Sequence, residues 1–296
     1  MKFFDEYRSC MQTFAIADSA YADLFNSVLP PVTELYVCSH NLEDILTRKR
    51  VSIVGTRKVT PYGRQVTERF ARELAGQGIV IISGLAFGVD SIAHEAALSV
   101  GGLTIAVLPS SLSRIYPAAH TGLARRILEQ GGALVSEYPV GTDIAFKNQF
   151  VERNRIVAGM ADAILITEAA KDSGTMHTAR FANEQNRDVF AVPGNITSPS
   201  SEGVNNLLRA SKAHPALCTD DILHALGMGT LEERPPMRGR TANEQVIIDL
   251  ITANITSGDD ILERSGLAIQ SFNEALTMLE IFGTVYALGN NHWAIR

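Results

Sequence analysis

Residues 51–109 read VSIVGTRKVTPYGRQVTERFARELAGQGIVIISGLAFGVDSIAHEAALSVGGLTIAVLP, and this stretch decides the fold. VSIV (51–54), IVIIS (79–83) and LTIAVLP (103–109) are apolar, β-branched and without polar alternation, which is the pattern of strands buried on both faces. Between them, YGRQVTERFARELAGQG (62–78) and GVDSIAHEAALSVG (88–101) carry helical periodicity. Strands separated by helices of this length pair in parallel through crossover connections.

The same alternation continues outward through HTGLARRILEQG (120–131), GALVSEY (132–138), VERNRIVAGM (151–160), AILITEA (163–169), TMHTARFANEQN (175–186) and DVFAVPG (188–194). Residues 47–228 therefore read as a Rossmann-like, doubly wound, mainly parallel α/β domain, whose ligands belong at the carboxyl ends of the strands. GTLEERPPMRGR (229–240) has Gly, two prolines and mixed charge with no apolar period, so it reads as a linker. Beyond it, TANEQVIIDLITANI opens with Thr241-x-x-Glu244, a capping box. SGDDILERSG, AIQSFNEALTMLEIFG and a hairpin turning at Gly289-Asn290 complete a small winged helix over 241–296. Residues 1–46 give a short helix around 4–27, a break at Pro30-Pro31 and an extended LYVCS.

The chain has 296 residues, 46% hydrophobic and 20% charged, enough for one α/β domain and a small companion. Asp5, Glu6, Arg8 and Asp18 interrupt any apolar signal core, and no segment has the roughly 18 apolar residues of a membrane span, so the expected location is the cytoplasm. Cys10, Cys38 and Cys218 are widely spaced, which points to free thiols and to neither a disulfide framework nor a metal site. The net charge of −6 is unevenly placed: residues 47–229 carry +3, residues 1–46 carry −5 and residues 230–296 carry −4. A mildly basic centre can hold an anion in a local groove.

Four strand-to-helix turns carry more than loop residues: GTRKVTPYG (55–63), SGLAFGVD (83–90), LPSSLSRIYP (108–117) and EAAKDSGTMHTA (168–179). Gly55, Gly84, Gly88 and Gly174 let the backbone approach a ligand, while Thr56, Ser83, Ser110, Ser173 and Thr175 can donate to phosphate oxygens. DSGTMHTAR (172–180) in particular runs from a turn into a helix start, the usual way of building an anion site. Several such turns on one sheet edge suit an extended anion. No turn matches the spacing used for ATP or a dinucleotide, so no nucleotide cofactor is expected. AFKNQFVERNRIVAG (145–159) interleaves Lys147, Arg153 and Arg155 with Phe146 and Phe150, cations for a backbone and aromatic faces for bases, the two components of single-strand binding.

These turns, the Tyr116-Pro117 pair, SEYP (136–139), FVERNRIVAGM and SGTMHTARFANEQNRDVFAVPG followed by GVNNLL resemble the DNA-processing protein A (DprA/Smf) family, in order from about residue 30 to 225. The tail is similar to the winged-helix domain of many members. The resemblance implies a cytoplasmic, dimeric protein that binds single-stranded DNA and hands it to the RecA recombinase during uptake and recombination of incoming DNA. Carried over by residue, it assigns DNA binding to Arg57 in the first glycine turn and to Gly84 and Gly88 in the second. It adds Lys147 and Phe150 of the basic-aromatic segment and Arg153, Asn154 and Arg155 of the R-N-R triplet. Two departures stand out. The helical domain that usually precedes the Rossmann part is missing or reduced to a remnant in residues 1–29, and the first turn reads GTR where GSR is usual.

The rival class is a Rossmann-fold nucleotide or sugar-phosphate hydrolase with a PGGxGTxxE turn. Here Gly174-Thr175 is followed by Met176, His177 and Thr178, without the carboxylate. Asp90 and His94 share a helix face at i and i+4, but Asp in a first turn is favoured by the helix dipole alone. No triad or metal cluster assembles, so the expected activity is binding without catalysis. The winged-helix segment AIQSFNEALTMLEIFG turns Gln270, Asn273, Glu274 and Thr277 outward with no Lys or Arg, which predicts protein contact in place of groove reading.

Overall fold

The strands Arg50–Val54 (β3), Val80–Ser83 (β4), Thr104–Leu108 (β5), Ala133–Ser136 (β6) and Ala163–Ile166 (β7) are buried at every position. That is what non-alternating apolar runs require, because helices cover both faces of a parallel sheet. The structure is a computed structural model that describes residues 6–16, 22–142, 148–229, 238–253, 255–289 and 291–295. Among these, nine strands form one sheet in the order β1-β2-β6-β5-β4-β3-β7-β8-β9. The outer strands are Met11–Ala15 (β1), Glu34–Cys38 (β2), Asp188–Ala191 (β8) and His214–Pro215 (β9). Pairing is parallel from β6 across to β9, while β1 with β2 and β2 with β6 are antiparallel.

The helices of this unit are Ala22–Phe25 (α1), Leu42–Thr47 (α2), Pro61–Gly76 (α3), Val89–Ser99 (α4), Thr121–Glu129 (α5), Asn148–Gly159 (α6), Thr175–Glu184 (α7), Glu202–Arg209 (α8) and Thr219–Ala225 (α9). The longest, α3, starts where Thr60 accepts the Gly63 amide and Pro61 occupies the first turn, a position that needs no amide donor. The strand order reverses direction at β3: β4 lies on one side and β7 on the other, with crossovers leaving from both. A crevice therefore opens between the carboxyl ends of β3 and β7, where the turns after residues 54 and 166 diverge.

The amino-terminal expectation needs correcting. Of the helix expected around residues 4–27, Met11–Ala15 is a strand, registered Met11 to Cys38 and Ala15 to Glu34 against β2, preceded by a single 3-10 turn at Arg8–Cys10 and followed by the short helix Ala22–Phe25. Residues 1–5 and 17–21 lie outside the described residues. The segment adds two antiparallel strands to the sheet edge, because Phe14, Leu35 and Val37 gain a shared apolar neighbourhood there. The extended reading of LYVCS matches β2.

The chain divides into two compact units, 1–230 and 231–296. In the second, the helices Ala242–Thr252 (α10), Gly258–Ser265 (α11) and Ile269–Ile281 (α12) precede a hairpin of Val285–Gly289 (β10) and His292–Ile295 (β11). Ile247, Ile248, Ile251, Ile261, Phe272, Leu276 and Leu279 form a core of its own. Thr241 accepts the Glu244 amide, and the Glu244 carboxylate reaches back to the Arg240 amide, one residue before the expected box position. Gly289 lies at the hairpin turn, while Asn290 is outside the described residues.

Candidate nucleic-acid interface

The turn after β3 is held from both ends by one residue. The Thr56 amide donates to the Glu168 carbonyl at 2.8 Å. The Thr60 amide and hydroxyl donate to the Glu168 carboxylate at 2.9 and 2.7 Å. Glu168 follows β7 and is 2% exposed, so the loop carrying Arg57 is fastened across the crevice to the neighbouring strand. Gly55 and Gly88 allow that closeness: a Cβ on Gly88, whose φ is +80°, would stand 2.3 Å from the Thr56 carbonyl, and one on Gly55 would stand 2.8 Å from the Glu168 carbonyl.

Arg57 is exposed at the top of this loop and its guanidinium lies 5.3 Å from the centre of the Phe150 ring. Phe150, on α6, meets Tyr116 edge-on with ring centres 5.3 Å apart. Phe87, 50% exposed, stands edge-on to His120 at 4.7 Å, and the His120 Nδ1 is bonded to the Leu85 carbonyl. Arg57, Phe87, Tyr116, Phe150 and Arg153 line a small hollow, and most of them also line an adjoining groove of about 580 Å³ that runs on to Asn154, Ser173, Gly174 and Thr175. Cation, aromatic faces and hydroxyls thus share one surface at the carboxyl edge of the sheet.

Other expected residues stand elsewhere. Ser83 is buried and donates to the Ile53 carbonyl, and Ser110 donates to the Arg114 carbonyl, so both hydroxyls hold their own turns together. Arg155 is 4% exposed and pairs with Glu137. Two residues along an α-helix from Arg153 it is rotated about 200°, away from the groove. Arg153 is also 4% exposed and gives Nη1 to the Gly84 and Val107 carbonyls and Nε to Asn154 Oδ1, so it braces the site from beneath. Burial brings its guanidinium down to about 10, an effect that the nearby Asp90 carboxylate opposes. Asp90 in turn accepts the Gly84 amide at 3.1 Å and ties the second glycine turn to α4. Lys147 lies outside the described residues.

The helix start at DSGTMHTAR is less open than its sequence suggests. The Thr175 amide donates to Ser173 Oγ, the Met176 amide to the Ser173 carbonyl and the His177 amide to the Gly174 carbonyl. The Ser173 hydroxyl donates to Thr175 Oγ1 at 3.0 Å, so this turn offers the groove the Thr175 hydroxyl proton and a side-chain-free Gly174, with most of its amides already used. The sequence reading did not single out Phe87 and Tyr116 as site residues. The signal was available, since both lie in turns singled out for their glycines and serines, and an aromatic residue there has no core to enter. His94 is fully buried and bonded to Thr104 at 2.6 Å, while Asp90, 7% exposed, lines the groove and accepts the Gly84 amide. No group of metal-ligating side chains occurs among the described residues, and no helix there is long and apolar enough to cross a membrane.

Comparison with known proteins places this surface in context. The family model described as DNA recombination-mediator protein A matches residues 12–227, and the DprA winged helix domain matches residues 232–291. Protein Smf of Escherichia coli is 38% identical over 258 residues, 83% of this chain and 68% of its own length; the chain spans 63% of a second curated relative. Among solved structures, DNA processing protein A from Helicobacter pylori, described for its single-stranded DNA binding mode, is 34% identical with a TM-score of 0.65 and covers 73% of this chain and 95% of its own. The Streptococcus pneumoniae DprA structure is 33% identical with a TM-score of 0.67, covering 74% and 76%.

Proposed function

Since this chain belongs to the DNA recombination-mediator protein A family, we propose that it binds single-stranded DNA along the groove at the carboxyl edge of its sheet, as a binder and not a catalyst. One observation carries the reading: Arg57 lies over Phe150 and beside Tyr116 and Phe87, so a cation for phosphate and faces for bases line the same groove. The binding mode described for the Helicobacter pylori protein supports it. The non-catalytic reading is supported by the buried, internally bonded state of Asp90 and His94 and by the missing carboxylate after Gly174-Thr175. Dimer formation and delivery of the strand to RecA are the finer parts of the proposal and rest on the family resemblance.

Fluorescence anisotropy of a labelled oligothymidine over a series of salt concentrations tests the groove. On a single strand each neutralised phosphate contributes about 0.7 to the slope of log affinity against log salt, so Arg57→Ala should weaken binding and flatten the slope by about that much. An unchanged slope and affinity would remove the groove from the binding site. Labelled nucleotides and DNA incubated with the protein test the second part, and turnover that co-purifies with the chain would overturn it.

A further inference from the structure

Cys10 and Cys38 are 28 residues apart in the chain and meet in the fold with their Sγ atoms 2.6 Å from each other. The pairing of β1 with β2 brings them there: Met11 opposes Cys38, and the Ser39 amide donates to the Cys10 carbonyl at 3.2 Å. Both side chains are buried, Cys10 at 4% exposure and Cys38 at 0%, in a cluster with Leu98, Leu123, Ile127 and Leu134. The Cys10 thiol donates to the Tyr7 carbonyl at 3.0 Å, and the Cys38 thiol reaches the same carbonyl at 3.8 Å. No third metal-ligating side chain joins them among the described residues, which leaves thiol–disulfide exchange as the chemistry open to two facing sulfurs.

A buried cysteine serves well as a small apolar side chain, but packing alone does not call for two sulfurs in contact. A disulfide has an S–S separation of about 2.05 Å, so closing the bond takes a movement of roughly half an ångström. The two sulfurs differ in access. β1 is paired on one side and β2 on both, so parting a single ladder frees Cys10 while Cys38 stays held against β6. Burial, together with the Cys10 sulfur beside it, holds the Cys38 thiol above its ordinary value and disfavours it as the first nucleophile.

We propose that Cys10 and Cys38 form a thiol–disulfide modification site, closed by a small-molecule disulfide of the glutathione type, whose intrachain bond pins β1 to β2. The Cys10 thiolate attacks one sulfur of the oxidant and expels the other half as a thiolate. When β1 pairs again, Cys38 gives up its proton and attacks the Cys10 sulfur, which forms the Cys10–Cys38 bond and expels the second half. Two protein thiols are oxidised, one external disulfide is reduced to two thiols, and the two protein protons end on those thiols. The closed packing around Cys38 has no room for a tripeptide, so the mixed disulfide does not last.

The test equilibrates the full chain in glutathione buffers from fully reduced to fully oxidised, then denatures it, alkylates it without reductant and digests it with trypsin. Cys10 and Cys38 fall in one tryptic peptide, residues 9–48, and Cys218 falls in another. Oxidation should leave that peptide without alkyl groups and lighter than its reduced form by two hydrogen atoms, and reductant should reverse the change. A peptide alkylated twice at every ratio, or one that ends carrying glutathione, would overturn the site. Hydrogen exchange of the Met11–Ala15 amides reads the pinning: it should slow roughly tenfold or more on oxidation, and equal rates would overturn that part. In a Cys10→Ala protein whose melting shows it to be folded, Cys38 should take one alkyl group at every ratio. Glutathione on Cys38 in that protein would overturn the order of attack.

Discussion

At the scale of the residue, His94 shows how burial fixes a protonation state. Thr104 gives its hydroxyl proton to the Ile81 carbonyl, so its oxygen must accept from His94 Nδ1–H, which leaves Nε2 buried without a partner. Burial pushes the imidazole down to about 3, and nearby His120 and Arg153 add to the effect. The unfolded chain takes up this proton near pH 6.5 while the folded one refuses it, so this contribution to stability is constant above pH 6.5 and is lost as pH falls toward 3. His94→Asn keeps a donor toward Thr104 and cannot titrate; between pH 7 and pH 5 it should lose roughly 2 kcal/mol less stability than the wild type, read by denaturant unfolding. Equal losses would show that His94 does not carry this dependence. Phe150 makes a second case. Half-buried on the groove wall, it should on truncation to Ala cost binding on the order of 1–3 kcal/mol with an unchanged salt slope and little change in melting temperature. Early melting would make it a core residue. The aromatic-cation interleaving leaves both readings of Phe150 open. Helical period separates the R-N-R triplet: successive helical residues point about 100° apart, so Arg153, Asn154 and Arg155 do not form one patch.

At the scale of the element, the central strands were legible because a buried parallel strand advertises itself by unbroken apolar residues. The strand β1 was not, since MQTFA is short and its partner β2 lies about twenty residues further on, so the pairing that makes it a strand is invisible locally. The turns were legible as glycine and hydroxyl clusters, but which hydroxyls face outward depends on partners elsewhere in the chain. Glu168 illustrates this: in sequence it is an acidic residue after an apolar run, and in the fold it holds the Arg57 loop by three bonds. Glu168→Gln keeps its size but turns one acceptor into a donor facing Thr60. It should cost about 1–3 kcal/mol of stability and weaken single-strand binding, measured by melting and by anisotropy. Wild-type affinity in that variant would show that the loop orders itself without the carboxylate.

At the scale of the whole molecule, the smaller unit is the more acidic for its length, and its winged helix keeps Gln270, Asn273, Glu274 and Thr277 exposed, with Met278 and Ile281 beside them. That face has apolar area and no Lys or Arg of its own helix, the nearby cation Arg240 lying over Phe282. The isolated winged helix, residues 241–296, should therefore show no binding to duplex DNA at near-physiological salt, and tight binding there would refute its assignment to protein contact. The nine-stranded sheet has one more consequence, because its two borders are unlike. The β9 border is two residues long and ends in Pro215, which has no amide to offer. The β1 border is five residues without a single charge, and Gln12 and Thr13 on it are exposed. Among the described residues, β1 is therefore the border with the features that favour strand addition, and Thr13→Lys should slow the rise of light scattering in concentrated stocks, an unchanged rise showing that this border is not where copies join.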